Sequence, residues 1–395
     1  MRVTTSRAAA ADPNKIRIVG KIETSGGERT VWFEVPLDLE PAISDSGAMW
    51  ALVMLPLAVQ TGEVIDLELP LDPLFLENVR GLAATWLHWY PAQVRPVEIN
   101  APTRRVPSTA GRTAQFFSGG VDSWFTLLRY SESSDGFPQV GVVDDLITIH
   151  GFDVPIDNRD EFSKLKSLVG EVANDFGKRH LTIATNIREL KDTYWRSKWG
   201  PISHGAGLAA CAMSLERRFS KVLIPSTHRL WELFPFGSHP VTDNLFSTSQ
   251  TQFLHDHALY SRSDKLIRLA QSPKALASLK VCWNKGVFEN CSVCGKCHRT
   301  LLCLDALGVL DQAKTFDVEK YLKNRYKVMF VPNANTAVRV TEVRDLALSR
   351  ERQDLVRVAQ SSLVRSRWAV PLSRAAYSVS YRLGNAVTKA HGMLT

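Results

Sequence analysis

Phe116-Phe117-Ser118-Gly119-Gly120-Val121-Asp122-Ser123-Trp124-Phe125 is the stretch on which the reading of this chain turns. Ala114 to Phe117 reads as a short apolar strand, the two glycines as a tight turn, and the following residues as a helix opening at Asp122 or Ser123. Paired glycines reach backbone angles closed to other residues and let the main chain approach a ligand without Cβ atoms in the way. Serine and aspartate are favoured helix N-caps, and Trp124, Phe125, Leu127 and Leu128 supply the apolar face behind them. A helix N-terminus flanked by the Ser118 and Ser123 hydroxyls is an anion site, with phosphate its commonest occupant. No lysine follows the last glycine, so this is not a Walker A loop.

Downstream, strands and helices alternate. Leu146 to Ile149 is a continuous apolar run that turns at Gly151, and Arg159 to Phe176 is a polar helix with Phe162, Leu165, Leu168, Val169 and Val172 on one face. Leu181 to Ala184 is a third strand, His204 to Leu215 a small-residue helix, and Val222 to Pro225 a fourth strand. That alternation predicts parallel pairing with right-handed crossovers, and ligands then sit beyond the carboxyl ends of the strands. Ser118, His150, Asp153, Asn186, Ser226, Thr227 and His228 all fall at such ends. Phe234 to Asp243 sets polar groups among turn-formers, which makes Ser238, His239 and Asp243 candidates for holding substrate. The plainer reading of those residues is a turn-capping aspartate and a solvent-facing histidine.

Upstream, Lys15 to Pro36 is a hairpin around Ser25-Gly26-Gly27, and Ala48 to Val59 is an apolar run readable as buried helix or strand. Val64 to Leu69 and Val97 to Ile99 read as strands, and Leu74 to Trp89 as an amphipathic helix stopped by Tyr90-Pro91. Nothing before residue 110 looks catalytic. The expected organisation is an α+β accessory domain over 1–110, a domain over 111–310, and a basic helical extension over 311–395. That extension includes a basic amphipathic helix from Leu346 to Trp368.

Cys282, Cys291, Cys294 and Cys297 are separated by eight, two and two residues. Four thiolates at such steps close a tetrahedral shell around zinc, and an iron–sulfur cluster is the competing assignment. Cys211 and Cys303 lie in apolar surroundings and read as core. The longest apolar run has 12 residues and contains Pro56, too short for a membrane span of about 20. The N-terminus lacks the apolar core of a secretory signal, so a cytoplasmic setting with reduced thiols is expected. Of the net charge of +8, +6 falls after Val338, where ten Lys or Arg face four Asp or Glu. Such an end is ordinarily a solvated face, and an acidic partner such as nucleic acid is the alternative.

Ser118-Gly119-Gly120-Val121-Asp122-Ser123 resembles the PP-loop of the ATP pyrophosphatase superfamily. With the downstream Cys-x8-Cys-x2-Cys-x2-Cys, the stretch from Thr113 to Gly308 is similar to the 7-cyano-7-deazaguanine synthase family. The resemblance implies an α/β fold: a Rossmann-like parallel-sheet PP-loop domain with helices on both faces and a zinc-binding lobe at 282–297. It implies ATP and Mg2+ use, with Ser118, Gly119, Gly120, Val121, Asp122 and Ser123 on the phosphates, Asp122 toward magnesium, and Asp122 and Ser123 catalytic. It also implies structural zinc on the four cysteines. The chain departs from that family at Ile149-His150-Gly151-Phe152-Asp153, in the residues ahead of 110 and in the basic tail, so the base-reading residues are not carried over.

Three functions are then in view. The first is an AMP-forming ligase that adenylates a small-molecule carboxylate for attack by ammonia or another nucleophile, giving an amide or nitrile. The second is a tRNA-modifying, thiolating PP-loop enzyme, and the third a non-catalytic nucleotide-binding protein. The ligase has no amidotransferase domain in sight, and a homodimer is compatible with it.

Overall fold

The computed structural model describes residues 1–105, 110–193, 199–282, 288–327, 329, 331 and 334–365. The chain divides into two compact units: Met1–Tyr260 with Ser278–Phe288, and Ser261–Ala277 with the described part of Glu289–Thr395.

The first unit opens with strands β1 (Arg2–Ala9), β2 (Lys15–Thr24) and β3 (Gly27–Pro36), paired antiparallel. The hairpin turn is Ser25-Gly26, and alternation puts Ile16, Ile18 and Ile22 of β2 and Val31, Phe33 and Val35 of β3 inward. Gly20 interrupts that alternation for a packing reason: a Cβ there would lie 2.4 Å from the Trp50 ring. Trp50 belongs to α1 (Ala48–Thr61), where every residue from Ala48 to Val59 is buried. An apolar run without polar positions is what a helix covered all round requires, and the run takes the helical of its two readings.

After α1 the expected strand over Val64–Leu69 shrinks to β4 (Ile65–Asp66), and that over Val97–Ile99 becomes β5 (Ile99–Asn100), its parallel partner. Pairing continues in scattered bonds beyond the strand, the Leu67 amide donating to the Asn100 carbonyl at 2.8 Å and the Leu71 amide to the Pro102 carbonyl at 2.9 Å. Between them, α2 (Pro73–Trp89) starts with proline in its first turn, and the Asp72 carboxylate accepts from the Leu74 and Phe75 amides at 3.1 and 3.4 Å.

Then come β6 (Arg112–Phe116), α3 (Val121–Arg129), β7 (Asp145–His150), α4 (Arg159–Asp175), β8 (Arg179–Thr185), α5 (Ile187–Thr193), α6 (His204–Met213), β9 (Phe219–Pro225), α7 (Pro240–Asp243) and β10 (Gln252–Asp256). β10 is a strand the sequence reading did not anticipate. Eight of these ten strands lie in one sheet in the order β1-β2-β3-β8-β7-β6-β9-β10. β8, β7, β6, β9 and β10 are mutually parallel, and β3 joins β8 antiparallel through Phe33–Thr185 and Glu34–Ala184. The fold is thus mixed α/β around a large, mostly parallel sheet. The first 36 residues extend that sheet. From β6 the chain steps to β7 and β8 on one side, then crosses to β9 and β10 on the other, so the winding reverses between β6 and β9. Right-handed crossovers of opposite direction place their helices on opposite faces.

The second unit is helical: α8 (Arg262–Ala270), α9 (Pro273–Ala277), α10 (Gly295–Ala306), α11 (Val318–Asn324), α12 (Ala334–Ser349) and α13 (353–365). α12 packs on α8 and α10. The single basic helix expected from Leu346 to Trp368 is two helices instead, and 366–368 lie outside the described residues. The break is at Arg350–Arg352, where Glu351 takes a left-handed φ of 57° and Arg352 reaches back to the Asp305 carboxylate at 2.9 Å.

Burial, with Lys166 as a secondary cause, pushes the His180 imidazole from 6.5 down to about 4. The unfolded chain binds that proton more readily, so this stability is complete above about pH 6.5 and is lost as pH falls toward about 4. The gap corresponds to at most about 3 kcal/mol. His150, His204 and His239 are shifted the same way by burial. The urea midpoint should therefore fall as pH drops through that window, and His180→Gln should flatten the fall. A midpoint constant with pH would contradict this account.

Candidate functional site

β6 delivers the diglycine loop to the point where the winding reverses. The Phe117 amide donates to the Ile147 carbonyl at 2.8 Å, and the Thr148 hydroxyl donates to the Phe117 carbonyl at 2.9 Å. His180 Nε2 meets the Thr148 oxygen at 3.0 Å, so three adjacent strands hold the residue before the loop. Gly119 then takes φ +76°, and its carbonyl accepts from the Lys280 amide at 2.8 Å. A Cβ at Gly119 would be in the left-handed region and 3.3 Å from Lys280 Cβ.

The helix starts one residue earlier than expected. Gly120 is the N-cap and Val121 the first helical residue, so neither Asp122 nor Ser123 caps α3. Ser123 is buried and closes the loop instead: its hydroxyl donates to the Gly120 carbonyl at 3.0 Å and accepts from the Ser118 amide at 3.4 Å. Val121 is fully buried, Asp122 half-buried and Ser118 exposed. Because Gly120 has no side chain to cap with, the first-turn amides of Val121, Asp122 and Ser123 form a positive helix end beside the glycine turn. Lys280, whose amide donates to the Gly119 carbonyl, escaped the sequence reading because no local motif marks it.

The rim residues separate into two groups. His150 is a packing ring, stacked on Phe162 at 4.1 Å with Nε2 donating to the Pro155 carbonyl at 3.0 Å. Asn186 ties the end of β8 to β3, donating to the Thr30 carbonyl and accepting from the Trp32 amide, both at 3.0 Å. The Ser226 hydroxyl donates to the His257 carbonyl at 3.1 Å, and Asp153 is exposed. In contrast, Ser238, His239 and Asp243 come together. Fully buried Asp243 accepts from the Ser238 hydroxyl at 2.8 Å and the His239 amide at 3.0 Å. His239 Nδ1 accepts from the Val241 amide at 3.1 Å, and its ring packs edgewise on Trp89.

One histidine that the sequence did not mark as a candidate, His255, belongs to this cluster, and His204, read there only as the start of a helix, lies in its field. His255 Nδ1 donates to Asp243 at 2.7 Å, and His204 feels the charges of both Asp153 and Asp243. The polar run His255-Asp256-His257 closing β10 was the available signal. Asp256 faces the other way: Thr126 donates to it at 2.6 Å and His257 contacts it at 2.6 Å. Although burial opposes it, these bonds and nearby Arg129 hold the Asp256 carboxyl below the usual range.

The Cys282, Cys291, Cys294 and Cys297 sulfurs all lie within 4.8 Å of one another, with Cys291 and Cys297 at 3.9 Å. Tetrahedral thiolate ligation at about 2.3 Å requires sulfurs about 3.8 Å apart, so the cluster fits zinc. Ser292 takes a φ of 62°, which turns the chain sharply enough for the Cys294 amide to donate to Cys291 Sγ at 3.3 Å. Cys294 then caps α10, and Cys297 enters in its first turn. His298 is not a ligand: its Nε2 contacts the Arg325 carbonyl at 3.2 Å. Burial drives the Cys303 thiol up to about 12, and Cys211 is fully buried in α6. Both are core residues, as expected.

Compared with known proteins, the chain matches no family model, no curated protein and no solved structure. Among the described residues no helix is long and apolar enough to cross a membrane.

Elemental analysis of the purified chain should find one zinc, and a strong chelator should lower the thermal midpoint, because ligation energy is part of folding energy in such sites. Cys291→Ser should reproduce most of the chelator effect. A metal-free chain with an unchanged midpoint would rule out a structural metal.

Proposed function

We propose that the chain is an ATP-dependent, AMP-forming ligase that activates a small-molecule carboxylate, built on a Rossmann-like PP-loop domain. One observation carries this reading: the Ser118–Ser123 loop lies where the sheet reverses its winding and opens directly into the uncapped first turn of α3. Crevices at such reversals are where open α/β sheets bind ligands, and helix N-termini favour phosphate.

In this reading the loop amides and the Ser118 hydroxyl take the triphosphate, and the Lys280 main chain keeps Gly119 in the conformation that allows close approach. Asp122 would hold magnesium, which when bound neutralises charge on the leaving phosphates. A substrate carboxylate oxygen attacks the α-phosphorus; the bond to the bridging oxygen breaks, and pyrophosphate leaves with the electron pair. Ammonia then attacks the acyl carbon, the bond to the AMP oxygen breaks, AMP leaves, and the new amide nitrogen sheds its proton. The protein contributes position and preorganised dipoles rather than a covalent partner. The cysteine cluster would hold zinc as a closed, structural site. The RNA-directed alternative gains little from the described tail, where Arg339, Arg344 and Arg352 each pair with a nearby carboxylate.

With ATP, magnesium and a panel of carboxylates, 7-carboxy-7-deazaguanine first, the products should be AMP and pyrophosphate. Asp122→Ala should lower turnover about a hundredfold or more with the fold intact. Gly119→Ala should weaken nucleotide binding and cost about 1–2 kcal/mol of stability. ADP as product, or an unaffected Asp122→Ala variant, would refute the mechanism.

A further inference from the structure

β1 forms one edge of the large sheet, and every side chain of Arg2–Ala9 except Val3 is exposed, so neither face of the strand is packed over. Its register with β2 runs unbroken from Arg2 opposite Glu23 to Ala9 opposite Ile16. The Asp66 amide donates to the Met1 carbonyl at 2.9 Å just ahead of the strand. Beyond that point, among the described residues, the backbone of residues 3–9 bonds only to β2. An edge strand carries a row of outward N–H and C=O groups, and natural sheets blunt such edges with lysine, proline, a bulge or a cover. β1 has none of these. Its two charges are answered within the chain, Arg2 by Asp66 at 2.9 Å and Arg7 by Glu40 at 3.2 Å. The opposite edge differs: β10 is shorter, and its Phe253 amide is taken by the Ser247 hydroxyl at 2.9 Å. A single open edge that pairs with itself closes at two copies.

Two copies of one strand pair antiparallel about a two-fold axis only in certain registers. Facing residues must both aim their N–H and C=O groups at each other or both away, so their positions in the strand differ by an even number. An axis on Thr5 meets this rule. Thr5 then faces Thr5 of the second copy, Thr4 faces Ser6, Val3 faces Arg7 and Arg2 faces Ala8. No arginine is opposite or diagonal to another, and hydroxyl pairs of the kind that stabilise cross-strand neighbours stand at the centre. Moving the axis to Ser6 sets the two copies of Arg7 on a diagonal, and moving it to Thr4 shortens the pair from seven residues to five.

We propose that the β1 edge is an interface for a second copy of this chain, which pairs antiparallel through residues 2–8 about a two-fold axis at Thr5 and joins two sheets into one. The occupant follows from the strand itself, which is complementary to its own copy in charge and in hydroxyl pairing. β6 lies five strands from β1, about 24 Å at the usual strand spacing, so each copy keeps its own diglycine loop and rim. The interface is therefore independent of the ligase reading.

Analytical ultracentrifugation of the full chain across a dilution series should show a reversible monomer–dimer equilibrium. Thr5 is exposed, so Thr5→Lys leaves the fold intact while setting like charges opposite one another at the axis. That variant should weaken the dimer about tenfold or more, and Thr5→Glu should do the same. Mixing the two variants should restore pairing, now as a mixed dimer tighter than either variant forms alone. Amide exchange within residues 3–7 should slow as the wild-type chain is concentrated. A chain that stays monomeric throughout, a dimer indifferent to Thr5→Lys, or variants that do not rescue each other would overturn the proposal, as would exchange in β1 that ignores concentration.

Discussion

The backbone of Phe117 is the fixed point of the rim. Its amide and carbonyl are both taken by β7, through Ile147 and the Thr148 hydroxyl, so the chain can leave β6 in one direction only. Two residues later the Lys280 amide catches the Gly119 carbonyl, and Ser123 ties Ser118 to Gly120 across the turn. A loop held at its start, middle and end has little conformational freedom left. Preorganised N–H groups are worth most in that circumstance, because they need not reorient during binding or reaction.

Close packing of small residues brings the second cluster to the same rim. Gly20 makes room for Trp50, which lets α1 lie directly on the sheet, and the alanine-rich α6 packs against α1. Gly205 at the head of α6 then approaches Gly237 more closely than any side chain would permit, and Gly237 leads into Ser238, His239 and Asp243. Core packing and site construction are here one event: a larger residue at Gly205 would push away the loop that carries Asp243. Burial also decides the chemistry, since it keeps the nearby imidazoles His204 and His239 toward their neutral forms.

Much of the parallel core was legible because its strands are apolar runs bounded by turn-formers, and its helices carry one apolar face. The readings that moved did so for identifiable reasons. α3 starts at Val121 because Ser123 spends its hydroxyl closing the loop rather than capping. The basic helix breaks where Arg352 finds Asp305. β10 was missed because Gln252-Phe253-Leu254-His255-Asp256 holds few apolar residues, and its pairing with β9 rather than its composition makes it a strand.

Alone, the sequence determined what depends on neighbours along the chain: the glycine turn between strand and helix, the alternation of β and α elements, and four cysteines spaced to share one ion. Tertiary structure decided what depends on distant partners. It set the order of the strands, turned His150 into a packing ring, brought Lys280 to Gly119, and joined His255 to Asp243. The physical reason is range. Backbone propensity and periodicity act within a few residues, whereas burial and hydrogen-bond pairing between residues far apart exist only once the sheet has closed.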